Sequence, residues 1–168
     1  MAIPMAICDG VVYAEEHSLG LRETIDDAIK DAQNAFDVYT NMTTIELRKN
    51  IIANIKSFLV GYNEELSKMA VFETKMGRVE DKIAKNKLVL EKTIGIEINE
   101  YKPKSAYFGD YGTTFLNEVP FGIIGCTTPS TNPVATVINN SITMLSSGNI
   151  VVFNVHPFEK NHQILQRC

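Results

Sequence analysis

The sequence predicts an α/β protein in which a helical layer precedes the first strand–helix–strand unit of a parallel sheet. Three observations carry that reading. Apolar residues recur at helical period from Leu21 to Ile94. Charge density falls after Tyr101, where Pro103, Gly109 and Gly112 punctuate a loop. Two short apolar runs, Phe121–Cys126 and Ile150–Val155, then flank a helical pattern that opens at Pro133 and closes at Gly148.

Leu21, Ile25, Ala28, Ile29, Ala32 and Phe36 share one face of a first helix, with Lys30, Asp31 and Asn34 opposite. Thr24 and Asp27 form a capping pair, hydroxyl and carboxylate each meeting a free backbone N–H. Thr43 and Glu46 repeat the signal and open a second helix with the stripe Ile45, Ile52, Ile55, Phe58, Leu59 and Tyr62. Leu66, Met69, Ala70 and Phe72 read as a third, short helix ending at Gly77, where a left-handed residue costs least. Val79, Ile83, Leu90 and Ile94 mark a fourth, ending near Gly95. Thr113 to Val119 reads as a strand. Phe121–Cys126 reads as a strand buried on both faces. Pro133 suits a helix's first turn, because its missing N–H is harmless there. Val134, Val137, Ile138, Ile142 and Leu145 supply the stripe of that helix. Ile150–Val155 is the second buried strand, which makes the whole a βαβ unit of a parallel sheet, expected to be right-handed.

At 168 residues, 45% hydrophobic and 21% charged, the chain has the composition of one ordinary soluble domain. Its net charge of -4 gives no basic footprint, so nucleic acid is not an expected partner. Arg48 and Lys49 sit among acidic neighbours. Cys8, Cys126 and Cys168 are scattered, and with His17, His156 and His162 they make no metal-ligating spacing. Met1 to Cys8 lacks the basic flank of a secretory signal, and no run approaches the length of a membrane span. A cytoplasmic chain is the expectation.

Ligands of parallel sheets bind at the carboxyl ends of the strands. Here those ends carry Thr127, Thr128, Pro129, Ser130, Thr131 and Asn132 on one side, and Asn154, His156 and Pro157 on the other. Backbone amides and the helix dipole favour a phosphate or a developing oxyanion at such a loop, and an Asn amide donates without titrating. The same residue types are ordinary helix caps, and on spacing alone capping is the simpler reading. His156 is placed for proton transfer or cofactor contact, although a lone rim histidine is more often structural. Cys126 ends an apolar strand and reads as a small hydrophobe rather than a nucleophile. Glycine-rich phosphate fingerprints, nucleophile elbows and zinc helices are missing from the sequence.

Three separated motifs nevertheless resemble one family. They are Phe72-Glu73-Thr74-Lys75-Met76-Gly77-Arg78-Val79-Glu80-Asp81-Lys82, Thr128-Pro129-Ser130-Thr131-Asn132-Pro133 and Val151-Val152-Phe153-Asn154-Val155-His156-Pro157. In order and spacing they resemble the amino-terminal part of CoA-acylating aldehyde dehydrogenases, the propionaldehyde, acetaldehyde and butyraldehyde enzymes of fermentation and of bacterial microcompartments. The similarity runs from about Leu19 to His156.

The resemblance implies an aldehyde captured by a cysteine, hydride passed to NAD, and the acyl group transferred to coenzyme A. It implies a homo-oligomer acting on a small aldehyde, in the cytoplasm or inside a microcompartment. By motif, Asn132 would donate to the aldehyde oxyanion. An ungapped alignment to Pro-Trp-Asn-Phe-Pro puts Thr131 in the Asn column, so Thr131 is the alternative. Thr127, Thr128, Pro129 and Ser130 would border the nicotinamide, and Asn154, His156 and Pro157 the adenosine. Asn154 and Pro157 replace the Lys and Glu that grip the ribose in ordinary aldehyde dehydrogenases, so ribose recognition differs. The implied organisation is an extension over 1–20, the helical part of the nucleotide-binding domain over 21–101, a loop and strand of the oligomerisation region over 102–120, and the truncated first βαβ of a Rossmann-like parallel sheet over 121–168. The sequence stops at Cys168 with no counterpart of the family's nucleophilic cysteine. The expectation is a chain that alone is inactive and binds neither NAD nor coenzyme A tightly. The rivals are a non-catalytic assembly module, invited by an open sheet edge, and a phosphorylating semialdehyde dehydrogenase.

Overall fold

The computed structural model describes residue 22, residues 24–95 and residues 105–156. Leu21, Cys8, Cys168, His17, His162 and Pro157 lie outside the described residues, as does the expected extension over 1–20. In chain order the elements are α1 (Ile25–Met42), α2 (Ile45–Thr74), α3 (Val79–Lys92), β1 (Ser105–Gly109), β2 (Gly112–Leu116), β3 (Ile123–Thr127), α4 (Pro133–Ser146) and β4 (Ile150–Asn154).

Helix α1 begins where the sequence predicts, but the cap is wired differently. The Thr24 hydroxyl accepts from Asp27 N at 3.1 Å and donates its own proton to Asp27 Oδ2 at 2.7 Å. The carboxylate therefore holds the capping hydroxyl instead of a backbone amide. The buried line on α1 is Ala28, Ala32 and Tyr39, while Ile25 and Ile29 face outward. Small residues are on that line because the helix lies close against the sheet.

The expected second and third helices are one 30-residue helix, α2, about 45 Å long at 1.5 Å per residue. No proline interrupts it, and Gly61 alone is too small a penalty to break a helix whose face is buried. Its N-cap is Thr44 and not Thr43, with Thr44 Oγ1 accepting from Leu47 N at 3.2 Å. Thr43 instead closes α1 by donating to the Tyr39 carbonyl. Lys75, at φ 56, takes the left-handed position that ends α2, with Gly77 at φ 77 following it. Ile94, expected on α3, lies beyond the helix and is exposed.

The loop expected around Gly109 and Gly112 is a β-hairpin. β1 and β2 pair antiparallel, with Gly109 opposite Gly112, and β2 stops at Leu116 rather than Val119. Parallel strands β3 and β4 pair in the register Ile123 with Ile150 through Thr127 with Asn154. β4 is largely buried, as expected, whereas β3 is half-open and Phe121 precedes it, 95% exposed. β3 is therefore not the doubly covered strand the apolar run suggests.

Alternation along β4 sorts its side chains between two layers. Ile150 packs with Ala32 and Tyr39 of α1 and with Leu145. Val151 and Phe153, with Val155 just beyond the strand, pack with Val137 of α4. The opposite side of α4 presents Val134, Ile138 and Ile142 to Ile52, Leu59, Leu66 and Ala70 of α2 and Leu90 of α3. Helix α4 is thus the middle of a stack, and its five-residue stripe divides between two neighbours. Where α3 crosses α2, Asn86 Nδ2 donates to the buried Ser67 hydroxyl at 3.0 Å, which pairs these two buried polar side chains.

Candidate active site at the strand ends

The β3–α4 loop and the end of β4 meet on one rim. Thr127 and Asn154 are the last register pair of the parallel ladder, and both are exposed. Thr128 N donates to Asn154 O at 3.1 Å and extends the ladder one residue past the strand, which buries Thr128. The loop then turns on a bond from Asn132 N to Pro129 O at 3.3 Å, with Pro129 exposed and Ser130 half-buried. His156, half-buried, follows β4 by two residues on the same side. The structure therefore brings the predicted residues of both strand ends together, Pro157 excepted.

Asn132 is the N-cap of α4, with Pro133 in its first turn. Capping proves to be a matter of backbone only. Asn132 O accepts from Thr136 N at 3.1 Å, while the carboxamide makes no cap bond. Its Nδ2 donates to Thr131 Oγ1 at 3.3 Å, and its Oδ1 accepts from the Lys85 ammonium. The neighbouring Lys82 ammonium donates to the Thr131 carbonyl. The spacing of Lys82 and Lys85 on one side of α3 was visible in the sequence. Their target, nearly fifty residues away, was not.

Cys126 sits one residue before the end of β3 with its thiol pushed up by burial, an effect partly opposed by a hydrogen bond with Asn140. A thiol held protonated is a poor nucleophile, in agreement with the sequence reading. Among the described residues no His, Cys, Asp and Glu cluster fits a metal ion, and no helix is long and apolar enough to cross a membrane.

A model of the aldehyde dehydrogenase family matches residues 10–162. The chain belongs to that family. It is 43% identical over 141 residues to an acetylating acetaldehyde dehydrogenase of Bilophila wadsworthia, covering 84% of this chain and 28% of that one. It is 40% identical to a CoA-propanoylating propanal dehydrogenase of Citrobacter freundii over 88% of this chain and 31% of the relative. Its fold superposes on a propionaldehyde dehydrogenase from the fucose-utilisation microcompartment of Clostridium phytofermentans with a TM-score of 0.77 at 40% identity, covering 88% of this chain and 34% of that one. A Rhodopseudomonas palustris propionaldehyde dehydrogenase with bound CoA and an acylated cysteine gives 0.78 at 39% identity, covering 89% and 34%. The resemblance to the amino-terminal part of the CoA-acylating aldehyde dehydrogenases is thereby borne out, and the chain spans under a third of the curated relatives' length.

Proposed function

We propose that these residues form the amino-terminal part of the coenzyme-binding half of an NAD-dependent, CoA-acylating aldehyde dehydrogenase. In that reading aldehyde, CoA and NAD become acyl-CoA and NADH. The observation that carries it is the shared rim, where Thr127 and Asn154 sit in register beside a helix N-terminus whose carboxamide is not used as a cap. The exposed Thr127 and Asn154, with the loop that follows Thr127, fit one edge of a dinucleotide: Thr127 to Ser130 on the nicotinamide side, with Thr128 buried beneath, and Asn154 and the half-buried His156 on the adenosine side. When bound, NAD supplies the hydride acceptor. This chain's part is to bind and orient it, and to present the Asn132 carboxamide, or the Thr131 hydroxyl in its place, to the aldehyde oxygen as negative charge develops there.

The test is a chimera in which residues 24–156 replace the matching segment of the Clostridium phytofermentans enzyme. The chimera is expected to reduce NAD with propanal and CoA, and Asn132→Ala to lower its kcat about 100- to 1,000-fold, the usual effect of losing one oxyanion donor. A folded, active chimera indifferent to Asn132→Ala and slowed by Thr131→Val moves the role to Thr131. Indifference to both refutes the site. Residues 1–168 alone are expected to give no turnover and no tight nucleotide binding, and NADH formed by that polypeptide sinks this part of the proposal.

The same reading places β1 and β2 in the oligomerisation region over 102–120 and the protein in the cytoplasm or a microcompartment. Tyr107, Phe108, Phe115 and Leu116 are each more than half exposed on the hairpin. Two strands alone are marginal in water, so such a surface favours a covering partner. Light scattering of the chimera should give an oligomer, and Phe108→Ser with Phe115→Ser should shift it toward monomer. An unchanged mass would remove the hairpin from that role.

A further inference from the structure

The two lysines that α3 sends to the loop are at an unexpected place for cations. The N-terminus of a helix carries partial positive charge, so ammonium groups there oppose the dipole of α4 and do not stabilise it. They are held instead by two oxygen acceptors on consecutive residues, the Thr131 carbonyl for Lys82 and Asn132 Oδ1 for Lys85. The Lys82 stem runs over Gly77, where an added Cβ would meet its Cε at 3.3 Å. The end of α2, the start of α3 and the loop are therefore fitted to one another.

An ammonium has donors and no acceptor, so Lys85 decides which way the Asn132 amide faces. Oδ1 must point at Lys85 and Nδ2 away from it. One Nδ2 hydrogen meets Thr131 Oγ1, and the amide nitrogen as a whole is turned away from Lys85. A charge bound at Oδ1 also draws electron density through the amide, which strengthens the remaining N–H as a donor.

We propose that Lys85 is a positioning residue for aldehyde oxidation: it orients and polarises the Asn132 carboxamide, while Lys82 fixes the loop backbone through the Thr131 carbonyl. The proposal rests on the reading of Asn132 as the oxyanion donor. Lys85 touches neither substrate nor coenzyme in this scheme, and its whole effect passes through Asn132.

Kinetics of the chimera separate the two readings. Lys85→Met is expected to lower kcat about 10- to 100-fold, less than loss of the donor itself, with little change in KM for CoA. Lys85→Arg, which still donates to Oδ1, should recover most of the rate. In an Asn132→Ala background Lys85→Met should have no further effect, because the group it acts through has gone. An equal fold-loss in both backgrounds overturns the proposal. An active chimera unaffected by Asn132→Ala overturns the oxyanion reading instead, whatever Lys85 does. Chain 1–168 gives a readout independent of turnover. The side-chain amide signals of Asn132 in a 1H–15N spectrum, assigned by their loss in Asn132→Asp, should move in Lys85→Met. They should stay fixed in Lys87→Met, since Lys87 pairs with Glu91 on another side of α3. Asn132 signals that ignore Lys85→Met refute the orientation.

Discussion

Phe153→Ala is expected to destabilise the chain by about 3–5 kcal/mol, the cost of removing a large aromatic from a closed core. Phe153 is 1% exposed and belongs to the cluster with Val137, Val151 and Val155, against which Cys126 and Met144 pack. Deleting the ring takes away contacts from both strands and from α4, and the two sides cannot collapse together while the ladder fixes their separation. Phe153→Leu keeps most of the volume and should cost less than about 1.5 kcal/mol. Urea unfolding followed by circular dichroism gives both numbers. A loss below about 1 kcal/mol for the alanine variant would mean that β4 and α4 do not meet as described. The site is tied to the same contact, because Asn154 follows Phe153 and its carbonyl receives the Thr128 amide. A loosened β4 should therefore spread the rim residues before the chain unfolds globally.

The sequence displayed this layer because its signals are local. Pro133 and Gly148 bracket α4, and the apolar runs on either side have strand length. What it concealed depends on partners. Ile25 and Ile29 satisfy a helical period as well as Ala28 and Ala32 do, and only the nearness of the sheet selects the small residues for burial. Thr43 and Thr44 are equally good caps by type, and the choice is made where Thr43 turns back to the Tyr39 carbonyl. The fusion of α2 across Tyr62 to Leu66 was hidden because Glu64 and Glu65 sit on the solvent side and Asn63 turns its amide to the Ile83 carbonyl of α3, so none of the three breaks the helix. At the site, strand-end residues were legible from topology, whereas Lys82 and Lys85 were ordinary surface cations until α3 was placed beside the loop.

Arg48 shows the same limit most sharply, and it sets up the second large effect. By sequence it is a charge among charges. In the structure it is 8% exposed, with its guanidinium carbon 5.0 Å from the centroid of the Tyr39 ring and its Nε donating to Thr43 Oγ1 at 3.1 Å. Arginine suits that place because its plane stacks on an aromatic face while its edge keeps its donors. It also lies under the turn that ends α4. There Asn149 N bonds back to Met144 O at 2.9 Å and Gly148 N to Leu145 O at 3.1 Å, a Schellman closure that needs a left-handed residue between them. Gly148 supplies it, at φ +84.

Gly148→Ala is accordingly expected to cost about 2–5 kcal/mol, combining left-handed strain with overpacking. An alanine Cβ would fall 2.6 Å from Arg48 Nη1 and 2.9 Å from Pro120 Cγ. The end of an exposed arginine would swing aside at little cost. This one is held by the Tyr39 face and the Thr43 hydroxyl, and Tyr39 is itself anchored by its hydroxyl donating to the Leu145 carbonyl at 2.9 Å. Arg48→Ala alone should cost about 2–3 kcal/mol through the lost charge-assisted bond and packing. Together the two changes should cost less than their sum, since removing Arg48 relieves its share of the clash and leaves the backbone strain and the Pro120 contact. Urea midpoints of the four proteins measure that coupling. Strict additivity would show that the turn and the guanidinium do not press on one another. Sub-additivity of about 1 kcal/mol or more would establish Arg48 as the contact through which the α1–α2 junction holds the α4–β4 turn in place.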